Sequence, residues 1–251
     1  MQILIGCAKT MAGNIPSIST DVTEPVFQDV ADRLAVQLAG LTPVDFMDIL
    51  RVNHKLALLN WQRYQDFFTY SGRVPAVFGY DGMVFRKLSP ATMSEADLSY
   101  ANAHLNIGSF LYGLLRPLDM IKPYRLEGSV ELPAIGQKSL FDFWKPILTD
   151  YFIEKIKNDG GILLNLASNE FRDIFDWRRI SKDVQVITPE FRVEKEGRLK
   201  TVVIYSKMCR GAMARWVILN RVSDVAVLRD FEFEGFRHDS DWSFNLLTSD
   251  V

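Results

Sequence analysis

The sequence predicts a mixed α/β fold, a central mixed sheet flanked by helices, and three observations predict it. Two short apolar runs, Ile3 to Cys7 and Ile162 to Leu166, pass directly into polar residues, as buried strands do where they meet a loop. Between them lie long segments with apolar residues at helical spacing, above all Val26 to Leu41 and Phe141 to Ile156. From Val184 onward short strand-like runs take over, with Glu196 and Gly197 placed to turn a hairpin. An N-terminal helical hairpin and a basic cleft complete the expected architecture, read as one domain over residues 1–251.

Composition narrows the function classes. A chain that is 48% hydrophobic and 24% charged is ordinary for a soluble globular protein. A formal charge of -2 excludes a uniformly basic nucleic-acid binder, so any anion site must be local. No apolar run reaches the roughly 18 residues that a membrane span needs, and MQILIGCAKT lacks the basic region and cleavage site of a signal peptide. A cytoplasmic location without membrane partners is expected. Cys7 and Cys209 form no CxxC and read as reduced thiols. With His54, His104 and His238 they show no metal-ligand spacing, so neither a metal nor a cofactor is expected.

Taken in order, Ile3 to Cys7 is a strand that delivers Lys9 and Thr10 to the loop beyond its carboxyl end, where α/β sheets meet their ligands. Ala12 to Ser19, with Gly13, Asn14 and Pro16, reads as a loop. Thr23 and Pro25 open a first helix. Thr42, Pro43 and Asp45 cap a second through Leu50, and Asn53 caps a third. The basic linker Arg51 to Lys55 invites comparison with hairpins that grip DNA phosphates through backbone amides, although Val52, Asn53 and His54 supply no glycine. Val74 to Phe78 reads as a strand, Gly79 to Gly82 as a turn and Met83 to Phe85 as the return strand. Ser94 and Asp97 start a helix through His104, and Ile107 to Leu111 is a buried strand or tight turn.

Tyr112 to Glu127, YGLLRPLDMIKPYRLE, organises the middle of the chain. Pro117 and Pro123 stiffen it into an extended path, which mounts Arg116 and Arg125 for an anionic or planar partner. Asp119 and Glu127 are equally placed to absorb those two charges as internal ion pairs. Ser139 and Asp142 begin a long helix that Asp159, Gly160 and Gly161 stop. The run Ile162 to Leu166 then releases Ser168, Asn169 and Glu170 in a polar turn, a layout that aims side chains at a ligand. Glu170 is read either as an acid or base or as a salt-bridge partner of a cation.

Val184 to Thr188, Phe191 to Glu194 and Leu199 to Tyr205 read as strands. A helix follows whose start carries Lys207, Arg210, Gly211 and Ala212. From Tyr205 to Arg221 there is no acid, while Lys207, Arg210, Arg215 and Arg221 all fall there, giving a local basic patch. Gly211 and Ala212 allow a backbone or a phosphate to approach closely. Leu228 to Phe236 and Trp242 to Leu247 close the chain as strands.

Ile5 to Thr10, LYGLLRPLD, PYRLE, Phe141 to Trp144, NLASNE at Asn165 to Glu170, Lys207 to Gly211, Arg215 and Phe231 to Phe236 stand in an order and spacing that resembles the peroxide stress protein YaaA family over nearly the whole chain. The resemblance implies a cytoplasmic bacterial protein that limits free iron and oxidative damage under hydrogen peroxide. It also implies a DNA-binding fold with a positively charged cleft and a helix-hairpin-helix element. The positions that carry this over are Lys9, Arg116, Arg125, Lys207, Arg210 and Arg215. Met83 stands where the family has an acid, Phe110 for a glycine, Met208 for a lysine, and Gly128 with Ser129 for a Met-Gly pair.

Two functions are compatible with these residues. In the first, Lys9, Thr10, Arg116, Arg125, Lys207, Arg210 and Arg215 line one cleft and hold DNA, double-stranded or distorted, with Tyr112 or Tyr124 free to stack on bases. In the second, the same cleft belongs to an enzyme acting on a nucleotide-like or other anionic small molecule, with Glu170 as acid or base and Ser168 and Asn169 as orienting groups.

Overall fold

The computed structural model describes residues 1–12 and 21–246, apart from the side chains of Ala134 and Arg172. Most of the loop read at Ala12 to Ser19, and Leu247, lie outside the described residues. Strand β1, Gln2–Gly6, leads to helices α1, Gln28–Ala39, α2, Pro43–Leu50, and α3, His54–Gln65. Next come α4, Met83–Leu88, α5, Glu95–His104, β2, Leu105–Ser109, β3, Gly113–Leu115, α6, Leu140–Lys157, and β4, Ile162–Asn165. Helix α7, Trp177–Asp183, precedes β5, Gln185–Ile187, β6, Glu190–Lys195, and β7, Arg198–Lys200. Helix α8, Val203–Asn220, and strands β8, Arg237–Ser240, and β9, Ser243–Leu246, finish the fold.

The central sheet has the order β3-β2-β1-β4-β5. Its β1, β2, β4 and β5 run parallel, and β3 returns antiparallel against β2. Strand β1 lies in the middle, with Ile3 opposite both Leu105 and Leu164, and Ile3, Leu4 and Ile5 are fully enclosed. Burial on both faces explains why Ile3 to Ile5 of β1 reads as a continuous apolar run. A smaller sheet, β7-β6-β9-β8, packs beside α8. The expectation of a mixed sheet between helices therefore holds.

Local chemistry sets the helix starts. Thr42 and Asp45 form a reciprocal capping box on α2, Ser94 and Asp97 another on α5, and the Asn53 and Ser139 side chains accept from the third residue of α3 and the Asp142 amide of α6. The helical hairpin α2–α3 is thus built as the sequence predicts. Its corner is made by Arg51 in the left-handed region at φ 51°, a conformation usually left to glycine.

Four predicted strands are corrected. Only Val74–Pro75 pairs, against Met120–Ile121, before the chain enters a single helical turn at Ala76–Gly79. Asp81 and Gly82 do not turn a hairpin: the Asp81 amide donates to the Thr10 carbonyl at 2.9 Å, and Met83 begins α4 with Phe85 and Leu88 facing the core. Leu199 to Tyr205 is split. The strand ends at Lys200 and α8 begins at Val203, because Val203 and Ile204 face solvent and burial follows the helical period through Ser206, Cys209 and Met213. Leu228 lies in a 3-10 turn, Ala226–Asp230, and Phe233 and Phe236 close a tight turn before β8. As a further consequence Lys207 lies a turn inside α8 and Arg210 and Gly211 about two, so none of them is at the helix start.

Candidate anion-binding groove

The site is assembled at the carboxyl ends of β1 and β4. Because these neighbours are parallel, the loops Cys7 to Thr10 and Leu166 to Glu170 emerge side by side. Close packing fixes their spacing: a Cβ on Gly6 would lie 2.4 Å from the Phe171 ring, so a side chain there is excluded. Phe171 in turn stacks on Phe110, with ring centroids 4.8 Å apart and planes 8° from parallel. The turn that begins at Asn169 is thereby seated against β1 and β2, and Ser168 and Glu170 face the Lys9 loop.

Between the two loops, α4 and α8 lies a cavity of about 270 Å³ whose lining includes Lys9, Thr10, Ser168, Glu170, Lys207 and Arg210. Helix α8 can bring its cations here because Gly211 allows it to touch α4: an added Cβ would lie 2.1 Å from the Val84 carbonyl oxygen. Of the two close approaches that the sequence permits at Gly211, the one made is with another backbone. The groove continues past Lys9 into a second hollow of about 280 Å³ bordered by Arg51, Arg125, Glu127 and Ser129. Lys9 and Arg125 also line the small space that joins the two.

Charge is distributed unevenly along this groove. The Lys9 ammonium bridges Glu127 Oε2 at 2.8 Å and Glu170 Oε1 at 3.1 Å. Partial burial works against its charge, but the bonds to Glu127 and then Glu170 outweigh it and hold the ammonium above the usual lysine range. Arg125 reaches Glu127 Oε1 at 3.2 Å, while its buried Nε finds no acceptor among the described residues. Arg51, Lys207 and Arg210 have no ion pair among the described residues. Burial lowers the Arg210 guanidinium from its ordinary range, the signature of a cation held partly out of water. The Asp81 carboxylate on the cavity wall is occupied by Arg86 through two bonds of 2.7 and 3.0 Å.

Four of the six cations predicted to converge do so: Lys9, Arg125, Lys207 and Arg210. Two do not. Arg116 is bound to the fully buried Asp119 at 2.8 Å and to the Glu24 carbonyl at 2.7 Å. Arg215 donates to the Leu88 and Ser89 carbonyls at 3.1 and 3.0 Å, satisfying the end of α4. The internal pairs foreseen for Asp119 and Glu127 are both present. Tyr112 and Tyr124 are 1% and 3% exposed, which removes them as stacking platforms. Asn169 is exposed and outside the cavity lining, whereas Ser168 and Glu170 are in it.

Sequence reasoning assigned no role in the groove to Asp81, and it missed a buried hydroxyl network behind Cys7. Tyr124 Oη lies 2.8 Å from Tyr80 Oη and 2.6 Å from Ser109 Oγ. Burial, only partly opposed by the contact with Tyr124, pushes the Cys7 thiol up to about 12, so it stays protonated and inert as a nucleophile at neutral pH. No local pattern announces this network, because Cys7, Tyr80, Ser109 and Tyr124 come from four separate segments. Among the described residues no group of His, Cys, Asp and Glu is placed to hold a metal ion, and no helix is long and apolar enough to cross a membrane.

Comparison with known proteins points to one family. The model of a family described as "Peroxide stress protein YaaA" matches residues 1–242. A UPF0246 protein of Bacteroides fragilis is 49% identical over 237 residues, covering 94% of this chain and 92% of the relative. One from Phocaeicola vulgatus is 48% identical over 241 residues, 96% and 94% of the two chains. Another from Porphyromonas gingivalis is 44% identical over 240 residues, 94% and 93% of the two chains.

Proposed function

Because the chain belongs to the peroxide stress protein YaaA family, we propose that it serves in the cytoplasm during hydrogen peroxide stress, limiting free iron and oxidative damage, and that it does so by binding DNA along this groove. The observation that carries the DNA reading is that Arg51, from the helical hairpin, and Lys207 and Arg210, from α8, border two hollows that meet at Lys9, and keep their charges unpaired among the described residues. Unpaired cations beside a depression suit phosphate oxygens, which accept from guanidinium and ammonium donors and release condensed counterions on binding. The α2–α3 hairpin contributes its corner residue, Arg51, to the same groove, so hairpin and helix address one strand of backbone together.

The test is DNA affinity across a salt series, read by fluorescence anisotropy. Binding that weakens steeply with salt is expected; a flat response, or no binding at low salt, rejects the reading.

A second reading, an enzyme acting on an anionic small molecule, is favoured by one observation: Ser168 and Glu170 face the same cavity as Lys207 and Arg210. Glu170 would be its acid or base. Survival of a knockout strain under peroxide when complemented by Glu170→Gln decides this case, and full protection by that variant rejects it.

A further inference from the structure

The cavity and the groove are different in kind, and the difference identifies what enters the cavity. In the sheet order β2-β1-β4, the chain leaves β1 toward β2 on one side, and β4 is added on the other. From β4 the chain goes on to β5, away from β2, so the connections after these neighbouring strands depart to opposite sides although their first residues stay joined by the Lys9–Glu170 bridge, and the crevice at such a switch point is where open α/β sheets receive nucleotides and other small ligands. The cavity occupies that crevice. Its volume of about 270 Å³ lies just below the roughly 300–1,000 Å³ of small-molecule pockets, which restricts it to a small ligand. A duplex passing along the groove can set backbone phosphates at its mouth, but no more than one nucleotide unit can enter it.

Its lining is amphipathic in the sense that such a unit requires. Leu166, Met83 and Phe85 supply an apolar wall, while Lys207 and Arg210 stand together on α8. Neither cation has an ion-pair partner among the described residues, and Arg210 is partly withdrawn from water, while the two wall carboxylates, Asp81 and Glu170, are engaged by Arg86 and Lys9. Ser168 offers a hydroxyl that can donate or accept.

We propose that this cavity is the receptor for a single nucleoside monophosphate unit, its phosphate on Lys207 and Arg210 and its base against Met83, Phe85 and Leu166. The inference rests on the reading of the groove as a DNA track, since the cavity opens onto that track beside Lys9. The unit comes from one of two sources, an unpaired nucleotide of the bound strand or a free nucleotide. Drawing in an unpaired nucleotide costs less than opening a base pair, which favours distorted over perfect DNA.

The experiment uses the full chain and compares a perfect duplex, the same duplex carrying one unpaired central nucleotide, and free dAMP. The readout is the ratio of the two DNA affinities within each protein, with dAMP binding followed by calorimetry. Met83→Trp fills the cavity and Met83→Ala enlarges it, and a thermal melt of each confirms folding. Wild type and Met83→Ala are expected to prefer the unpaired site by about tenfold, the value of one charge-assisted contact, and Met83→Trp to show a ratio near one. Binding of dAMP by wild type but not by Met83→Trp, without a DNA preference, assigns the free nucleotide as the source. The proposal is overturned if wild type shows neither preference nor dAMP binding, or if Met83→Trp retains what wild type shows. Absence of all DNA binding by wild type refutes the groove reading instead, and the dAMP arm alone then decides the cavity.

Discussion

The salt dependence of DNA binding follows from which cations in the groove are already neutralised. Glu127 and Glu170 hold Lys9, and Glu127 also holds Arg125, so these two bring little free charge to a phosphate. Arg51, Lys207 and Arg210 remain. Three neutralised phosphates correspond to a log–log slope of about -2.7, and hence an affinity loss of about 40-fold between 50 and 200 mM salt. Lys207→Gln should flatten the slope by about 1 with little change in stability, since its side chain is exposed. Glu127→Gln is the sharper perturbation. It releases Arg125 and one of the two bonds on Lys9, so the slope should steepen by about 1 and affinity at low salt should rise. Anisotropy titrations of a labelled duplex at four or more salt concentrations measure both quantities. A Glu127→Gln protein that binds more weakly than wild type, with an unchanged slope, would refute the assignment of Glu127 as the neutralising group.

Three further outcomes are expected. Gly211→Ala pushes a Cβ against the Val84 carbonyl and should destabilise the protein by about 1–3 kcal/mol, read as a fall in Tm of roughly 2–4 °C per kcal/mol; an unchanged melt would show that α4 and α8 part freely. Arg116→Gln leaves the buried Asp119 without its guanidinium and should cost about 3 kcal/mol in urea unfolding, yet leave the salt slope of DNA binding as in wild type; a flattened slope would return Arg116 to the groove. Lys155, whose ammonium donates to Asn106 at 2.7 Å, is lowered to about 8 by burial and then by Arg116. From pH 8 toward 10.5 the unfolded chain keeps a proton that the native protein has lost, so stability rises with pH, by at most about 3 kcal/mol over the full window. Cys7 and Cys209, both raised to about 12 by burial, act the opposite way above pH 9, because the native thiols keep protons that the unfolded chain releases. The difference between wild type and Lys155→Met in urea unfolding isolates the lysine, and a difference that does not change between pH 8 and 9.5 excludes the shift.

Elements written by local chemistry were legible, and elements written by tertiary burial were not. The hairpin α2–α3 could be read because Thr42, Asp45 and Asn53 satisfy helix amides within one turn of themselves. Strands β1 and β4 could be read because burial makes Ile3, Leu4 and Ile5 in one, and Leu163 and Leu164 in the other, consecutive apolar residues. Val203 and Ile204 misled for the opposite reason: they are apolar but 66% and 45% exposed, so the strand-like run that they extend has no buried face. Met83 to Leu88 is too short for periodicity to separate a strand from a helix, and its fate is decided by α8, far along the chain.

The groove shows the same division, and it bears on how the site works. Asp119 and Glu127 sit within three residues of Arg116 and Arg125, so the internal pairs were visible in advance. The pairing of Lys9 with Glu127 and Glu170 joins three distant segments and had no local signal. Counting basic residues therefore overstates the charge offered to a ligand, and it does so unevenly. The acids hold down the middle of the groove at Lys9 and Arg125, while its two ends, Arg51 on the hairpin and Lys207 with Arg210 on α8, keep their charge. A polyanion is drawn to the ends and meets a neutralised centre, where Glu127 and Glu170 must give up Lys9 before a phosphate can take it. Contact there is consequently weaker than the basic motifs suggest, and removing one acid should strengthen it more than adding a cation at the rim.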